Sequence, residues 1–149
     1  MLVLPGFDSS GRLPPGIHKA TWTQIVRRLG FTPRRGVLLN GLHEALMLLK
    51  AAGCRWIYLD GSFVTNKSEP GDFDACWSID GVGVERLDPV FLDFANSRAA
   101  QKRRFGGELF PAELPEGASG KTFLQFFQMD KGTGEPKGIL AIDLQRFRP

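Results

Sequence analysis

Between Tyr58 and Cys76 the chain reads YLDGSFVTNKSEPGDFDAC, with Asp72 and Asp74 on either side of Phe73 in a segment that otherwise has the composition of a buried strand. Acidic residues are depleted in strands because a pleated, half-buried surface removes them from water without return. Residues two apart on a strand face the same side, roughly 7 Å apart at Cα, so the two carboxylates converge. Two like charges about 4 Å apart repel by about 4 kcal/mol at an effective dielectric near 20. The pair therefore either shares a proton or holds a divalent cation. Hard oxygen ligands select magnesium or manganese, and magnesium is commonly held by one or two carboxylates together with substrate phosphates. A nucleoside triphosphate is the natural second half of such a site.

Gly61-Ser62 precedes this pair, directly after an apolar run and at the start of the turn SFVTNK. A helical turn entered from a strand presents free backbone N–H groups, glycine lets a phosphate approach closely, and the serine hydroxyl adds a donor. Taken singly, these residues have plainer readings. Asp60-Gly61 fits a hairpin turn, and Asp72 after Pro70-Gly71 fits a turn residue. Asp74, between Phe73 and Ala75-Cys76-Trp77, has no such reading.

Several elements must position these residues. The Pro- and Gly-rich start, with LPPGIH, reads as an irregular arm over about 1–20 that docks on the rest. Thr21 and Gln24 form a capping-box pattern ahead of WTQIVRRL, a short helix stopping at Gly30. Thr32-Pro33 starts a second helix, in which Leu38, Leu39, Leu42, Leu46 and Leu49 form an apolar stripe ending near Gly53. A strand from about Cys54 to Asp60 feeds Gly61-Ser62, and DFDACWSI is the next strand. GVERLDPVFLDFAN reads as a helix broken near Pro89. Asn96 or Ser97 caps a basic helix RAAQKRRF, in which Arg98 and Lys102 share a face. GGELFPAE is a short strand, KTFLQFFQ fits helix better than strand, and KGILAIDLQ is a strand carrying Asp143 among apolar neighbours.

The composition, 42% hydrophobic and 23% charged over 149 residues, fits one globular domain over 1–149. A net charge of +3 permits an anionic ligand without demanding nucleic acid. Cys54 and Cys76 form no CxxC pair, and only His18 and His43 accompany them, which argues against a disulfide scaffold or a structural zinc site. No apolar run approaches the roughly 20 residues of a membrane helix, and the first residues lack the basic flank of a leader. The expectation is a cytoplasmic protein with no membrane partner.

Helix, strand, Gly-Ser, a nine-residue spacer and then Asp-hydrophobic-Asp, as written in LDGSFVTNKSEPGDFDAC, resembles the nucleotidyltransferase superfamily with the polymerase-beta-like palm, especially its minimal bacterial members. LPPGIH, FGGELFPA and PKGILAIDL are similar to a bacterial branch of uncharacterised activity. The resemblance implies an α/β (α+β) fold with a mixed sheet flanked by helices, magnesium ions held by Asp72 and Asp74, and transfer of a nucleotidyl group from a nucleoside triphosphate. It also implies a third carboxylate on a later strand. Asp143 is the first choice for it and Glu108 in GGELF the second. The family often carries an arginine soon after Gly-Ser, where this chain reads Val64, Thr65, Asn66 and Lys67.

In this reading Gly61, Ser62 and Lys102 bind the nucleotide, and Asp72, Asp74 and Asp143 bind metal and carry the catalysis. The acceptor is a protein, an RNA or a small molecule, as in toxin–antitoxin or phage-defence relatives. A different class of function is a catalytically inactive module of the same fold that binds a cognate protein partner or senses a nucleotide. A third is a basic RNA-binding domain using Arg98, Lys102, Arg103 and Arg104, a face more often merely solvated. Phe123, Phe126 and Phe127 are expected in the core rather than on a base-stacking platform.

Overall fold

A computed structural model describes residues 3–148; Met1 and Leu2 of the expected arm lie outside the described residues. The expected mixed sheet flanked by helices is what the chain forms. The elements run β1 (Gly16–Lys19), α1 (Trp22–Leu29), α2 (Pro33–Ala51), β2 (Trp56–Asp60), β3 (Phe73–Trp77), α3 (Ala95–Phe105), β4 (Gly107–Pro111), α4 (Phe123–Phe127) and β5 (Gly138–Asp143). The sheet order is β1-β5-β2-β3-β4. The central strand β2 is antiparallel to both β3 and β5, while β1 pairs β5 and β4 pairs β3 in parallel.

The period-2 alternation of the strands divides the sheet into two unlike faces. Ile57 and Leu59, Phe73, Ala75 and Trp77, Leu109, and Leu140 and Ile142 point to one side, where they form a single core with Ile25, Leu29, Leu38, Leu42, Leu46 and Leu49 of α1 and α2. The leucine stripe read from the sequence is this contact, and each fully buried leucine contributes about 2 kcal/mol. Gly41 sits where α2 meets the end of α3. A Cβ there would lie 1.7 Å from the Phe105 carbonyl oxygen, so the close approach requires glycine. The opposite face carries Tyr58, Cys76 and Phe110 and is covered only in part, by Phe123 and Phe127 of α4. It is on this second face that the acids emerge.

Both helix starts read from the sequence are present. Thr21 and Gln24 form a reciprocal capping box, and the Thr32 hydroxyl caps α2 with Pro33 at its first position. Thr122 and Gln125 form a second capping box, which starts the helix α4 over FLQFF. Three expectations are corrected. The arm is not irregular throughout, because Gly16–Lys19 pairs with β5; its sequence has no alternation, and the partner strand supplies the order. GVERLDPVFL forms two 3-10 turns, Val84–Arg86 and Pro89–Leu92, separated at the Asp88 cap. Asn96 and Ser97 do not cap α3. With Arg98 they take left-handed φ values of 52°, 55° and 60°, and the Asp93 carboxylate accepts from the Ala95 N–H instead.

Arg35, in the first turn of α2, is completely buried. Its guanidinium donates to five carbonyl oxygens: those of Leu29 (3.2 Å), Ser62 (3.4 Å), Phe63 (2.6 Å), Thr65 (2.6 Å) and Lys67 (2.9 Å). Burial pushes its pKa down, and the carbonyl dipoles replace a counterion. Arg34 beside it donates to the carbonyls of Pro70 (3.1 Å) and Gly71, and the Thr32 hydroxyl donates to Ser68 O at 2.8 Å. One helix start thus grips the whole spacer between Ser62 and Asp72. The arm adds to this grip through Asn66 N–H to Gly11 O (3.0 Å), and Arg28 holds the arm itself at Pro5 O (2.5 Å).

Replacing Arg35 leaves several buried carbonyls without donors. Arg35→Met is expected to cost at least about 3 kcal/mol in urea unfolding. Arg35→Lys, with only three donors, should recover part of that loss. Wild-type stability in Arg35→Met would show that the clamp does not hold the loop.

Candidate functional site

The strand register builds the site. Asp60 lies opposite Asp74, and Asp74 opposite Glu108, so three acids stand side by side across β2, β3 and β4 on the open face. Like charges directly opposite one another destabilise a sheet unless they are compensated. Two of the three are. Lys137, at the root of β5, pairs with buried Asp60 at 3.0 Å. Lys102 and Arg98 pair with Glu108 at 2.9 and 3.2 Å. Burial raises the Asp60 pKa in spite of Lys137, whereas for Glu108 the two cations outweigh burial and hold its pKa below the usual glutamate value.

Asp74, in the middle, has no cation at ion-pair distance among the described residues. Burial first, then the charges of Asp72, Glu108 and Asp60, push its pKa up to about 7. Asp72 stands just before β3, in a hollow beside α2 and α3, and is also raised, by burial and then by Glu108. Asp72 and Asp74 sense each other's charge but line different hollows, and the larger electrostatic cost falls on Asp74.

Gly61 faces this carboxylate. Its φ of 80° with ψ of −168° is a conformation reserved for glycine, and a Cβ there would lie 2.3 Å from Asp74 Oδ2. Ser62 opens the 3-10 turn Ser62–Val64, whose first N–H groups have no partner within the turn and no side-chain cap. Ser62 also lines the cleft.

The cleft measures about 940 Å³ and has two unlike halves. Around the acids its wall is polar: Arg12, Asp60, Gly61, Ser62, Asp74, Lys131 and Lys137. The other half is aromatic. Phe110 and Phe123 stack at 4.5 Å, Phe94 lies nearly parallel to Phe110 at 6.3 Å, and the Arg98 guanidinium sits over Phe110 at 5.3 Å. Phe123 and Phe126 therefore line the cleft, against the expectation of a purely core role, while Phe127 is buried.

Of the residues singled out in the sequence, Asp74, Gly61 and Ser62 come together in the cleft, while Asp72 lines the neighbouring hollow. Asp143 does not. It pairs in register with Trp56, at the opposite end of β2 from Asp60, roughly 13 Å along the strand, where it faces Arg55 at 3.4 Å and Arg146 at 3.9 Å. The position beside Asp74 belongs to Glu108, the second choice. Lys102 lies in a neighbouring hollow of about 590 Å³ with Asp72 and Arg34, and its charge is spent on Glu108. Arg104 is engaged with Glu44 and Asp88, so most of the basic face is neutralised internally. Sequence reasoning missed Asp60, Lys137, Lys131 and Arg12.

Among the described residues, no group of three or more His, Cys, Asp or Glu side chains is arranged to hold a metal ion. Around the acid row, the carboxylates without an ion-pair partner among the described residues are Asp72 and Asp74, hard oxygen donors of the kind that a divalent cation takes. Cys54 and Cys76 are buried, and burial drives the Cys54 pKa up to about 12 and raises Cys76 strongly, so neither is a ready nucleophile.

Fold and site together define an α/β domain in which a helix-clamped Gly-Ser turn faces an acid row on the open side of a mixed sheet. The chain belongs to the family of unknown function DUF6932, whose profile matches residues 5–143. No curated protein and no solved structure matches it.

The raised Asp74 pKa fixes the sign of a pH effect. The folded state holds the proton between about pH 4 and 7 while the unfolded chain has released it, so Asp74 lowers stability as pH rises through that window. Asp74→Asn is expected to melt higher than wild type at pH 8 and nearly equal at pH 4, a difference on the order of a few kcal/mol. Equal melting at pH 8 would mean that Asp74 carries no uncompensated charge.

Proposed function

We propose that the chain is a small nucleotidyltransferase, binding a nucleoside triphosphate with magnesium in the cleft and passing the nucleotidyl group to an acceptor hydroxyl or phosphate. The observation that carries this reading is Asp74: the middle acid of three, without a counter-cation at ion-pair distance among the described residues, packed against Gly61 at the start of the uncapped Ser62–Val64 turn. A magnesium–triphosphate complex answers both halves at once, since its cation compensates the carboxylates and its phosphates meet the N–H groups of the turn. Magnesium or manganese, when bound, would neutralise the charge developing on the transferring phosphoryl group.

The remaining work falls to the chain. Ser62 and the turn orient the phosphates, and the Arg35 clamp keeps that turn fixed during the in-line displacement. Phe94, Phe110 and Phe123 offer the nucleobase a face on which to stack and exclude water from the reacting end. Lys137 holds Asp60 neutralised, so that Asp74 and Asp72 alone attract the cation. The acceptor is a protein, an RNA or a small molecule, and a toxin–antitoxin setting would give the chain a cognate protein partner.

One observation favours a second reading, a catalytically inactive nucleotide-binding module of the same fold. Glu108, in the place of a third carboxylate, is tied to Lys102 and Arg98 and not free for a metal. No helix among the described residues is long and apolar enough to cross a membrane. A reducing cytoplasm suits the two free thiols.

Isothermal titration is expected to show magnesium-dependent triphosphate binding that Asp74→Asn abolishes while the fold stays intact; equal binding by both proteins would reject the assignment. Incubation with labelled triphosphates, magnesium and cell lysate separates the two readings. Label transfer supports the enzyme, and binding without transfer supports the module.

A further inference from the structure

We propose that Lys131 binds the terminal phosphates of the triphosphate, a role that rests on the nucleotide reading above and names a residue outside the Gly-Ser turn for it. Four cationic side chains line the cleft: Arg12, Arg98, Lys131 and Lys137. Three are already engaged by carboxylates, Arg12 with Asp130, Arg98 with Glu108 and Lys137 with Asp60. Lys131 has no carboxylate at ion-pair distance among the described residues. Its ammonium lies 5.9 Å from the centre of the Phe126 ring, a contact that leaves its donors available.

The turn carrying Lys131 is fixed although the side chain is exposed. Asp130 Oδ1 accepts from the N–H groups of Gly132 (2.8 Å) and Thr133 (3.0 Å), and Asp130 N–H donates to Glu135 O at 2.8 Å. The second carboxylate oxygen pairs with Arg12, tying the turn to the arm, and Lys137 N–H closes its base on Gln128 O at 2.9 Å. A lysine on such a turn meets an anion without first ordering its backbone, which keeps the entropic cost of binding to the side chain alone.

The Gly-Ser loop cannot supply this charge. Val64, Thr65 and Asn66 are neutral, and Lys67 is exposed and absent from the cleft wall. A triphosphate carries more negative charge than one divalent cation cancels. The excess sits on the β- and γ-phosphates, and a free ammonium on the wall of the same cleft as Ser62 is available to meet it. A nucleoside monophosphate has no such group to offer, so dependence on Lys131 should distinguish triphosphate from monophosphate.

The test compares full-length wild type, Lys131→Ala and Lys131→Arg by isothermal titration with ATP, GTP, CTP and UTP in magnesium, and with the matching monophosphates. Expected is a 10- to 100-fold loss of triphosphate affinity in Lys131→Ala, the range for a hydrogen bond to a charged group. Monophosphate affinity and melting temperature should be unchanged, and Lys131→Arg should bind triphosphate nearly as wild type. Wild-type triphosphate affinity in Lys131→Ala, or equal loss for mono- and triphosphate, would overturn the role of Lys131 and leave the nucleotide reading standing. Wild-type protein that binds no triphosphate would overturn both.

Discussion

Three acids in register on adjacent strands impose the constraint on which the rest of this molecule depends. Asp60, Asp74 and Glu108 cannot all be charged on one sheet face without compensation, and among the described residues cations pair only with the outer two. Lys137 comes from the loop before β5 and Lys102 from α3, so the sheet order that brings these elements to either flank also isolates the middle carboxylate. A buried aspartate left so is unfavourable for stability at neutral pH. That cost has a use if a ligand removes it.

The second requirement is that whatever faces Asp74 be held still. The first turn of α2 meets it with an arginine that spends every donor on backbone carbonyls, most of them in the loop following Gly61. Such a guanidinium acts on the loop as a sheet partner would, satisfying its polar groups in a place too irregular for a strand. The spacer between Ser62 and Asp72 can therefore be long and hydrophilic and still present one conformation to the cleft. Folding energy and site geometry meet in the same residue.

Local features were legible in the sequence, and features that depend on strand order were not. Asp74 could be placed on the face opposite Phe73 because alternation on a strand holds whatever the topology, but Asp72 falls just before the strand begins and lines a neighbouring hollow. Gly61-Ser62 could be placed at a strand end because the apolar run stops there. Asp143 shows the limit: a hydrophobic-acid-hydrophobic pattern indicates which face a residue takes, not which end of the sheet, and the antiparallel run of β5 along β2 sends it away from Asp74. Glu108, Asp60 and Lys137 meet through pairings between distant segments, which no spacing reveals. Arg35 left one signal, since two arginines in the first turn of a helix oppose the macrodipole and call for another reason to be there. Phe123 and Phe126 were assigned to the core because aromatic runs are usually buried on both sides. Here the sheet face beneath α4 is only half covered, which turns part of that run into a wall.

The central claim is that Asp74 is left uncompensated until a cation arrives with a nucleotide. Its carboxyl carbon, followed by 13C NMR across a pH titration, reports this directly. The account expects a midpoint near 7 in the protein alone, and a carboxylate ionised well below that pH once magnesium and a non-hydrolysable triphosphate are added. An Asp74 that titrates like an ordinary exposed aspartate, or keeps its midpoint unchanged in the presence of both ligands, would contradict it.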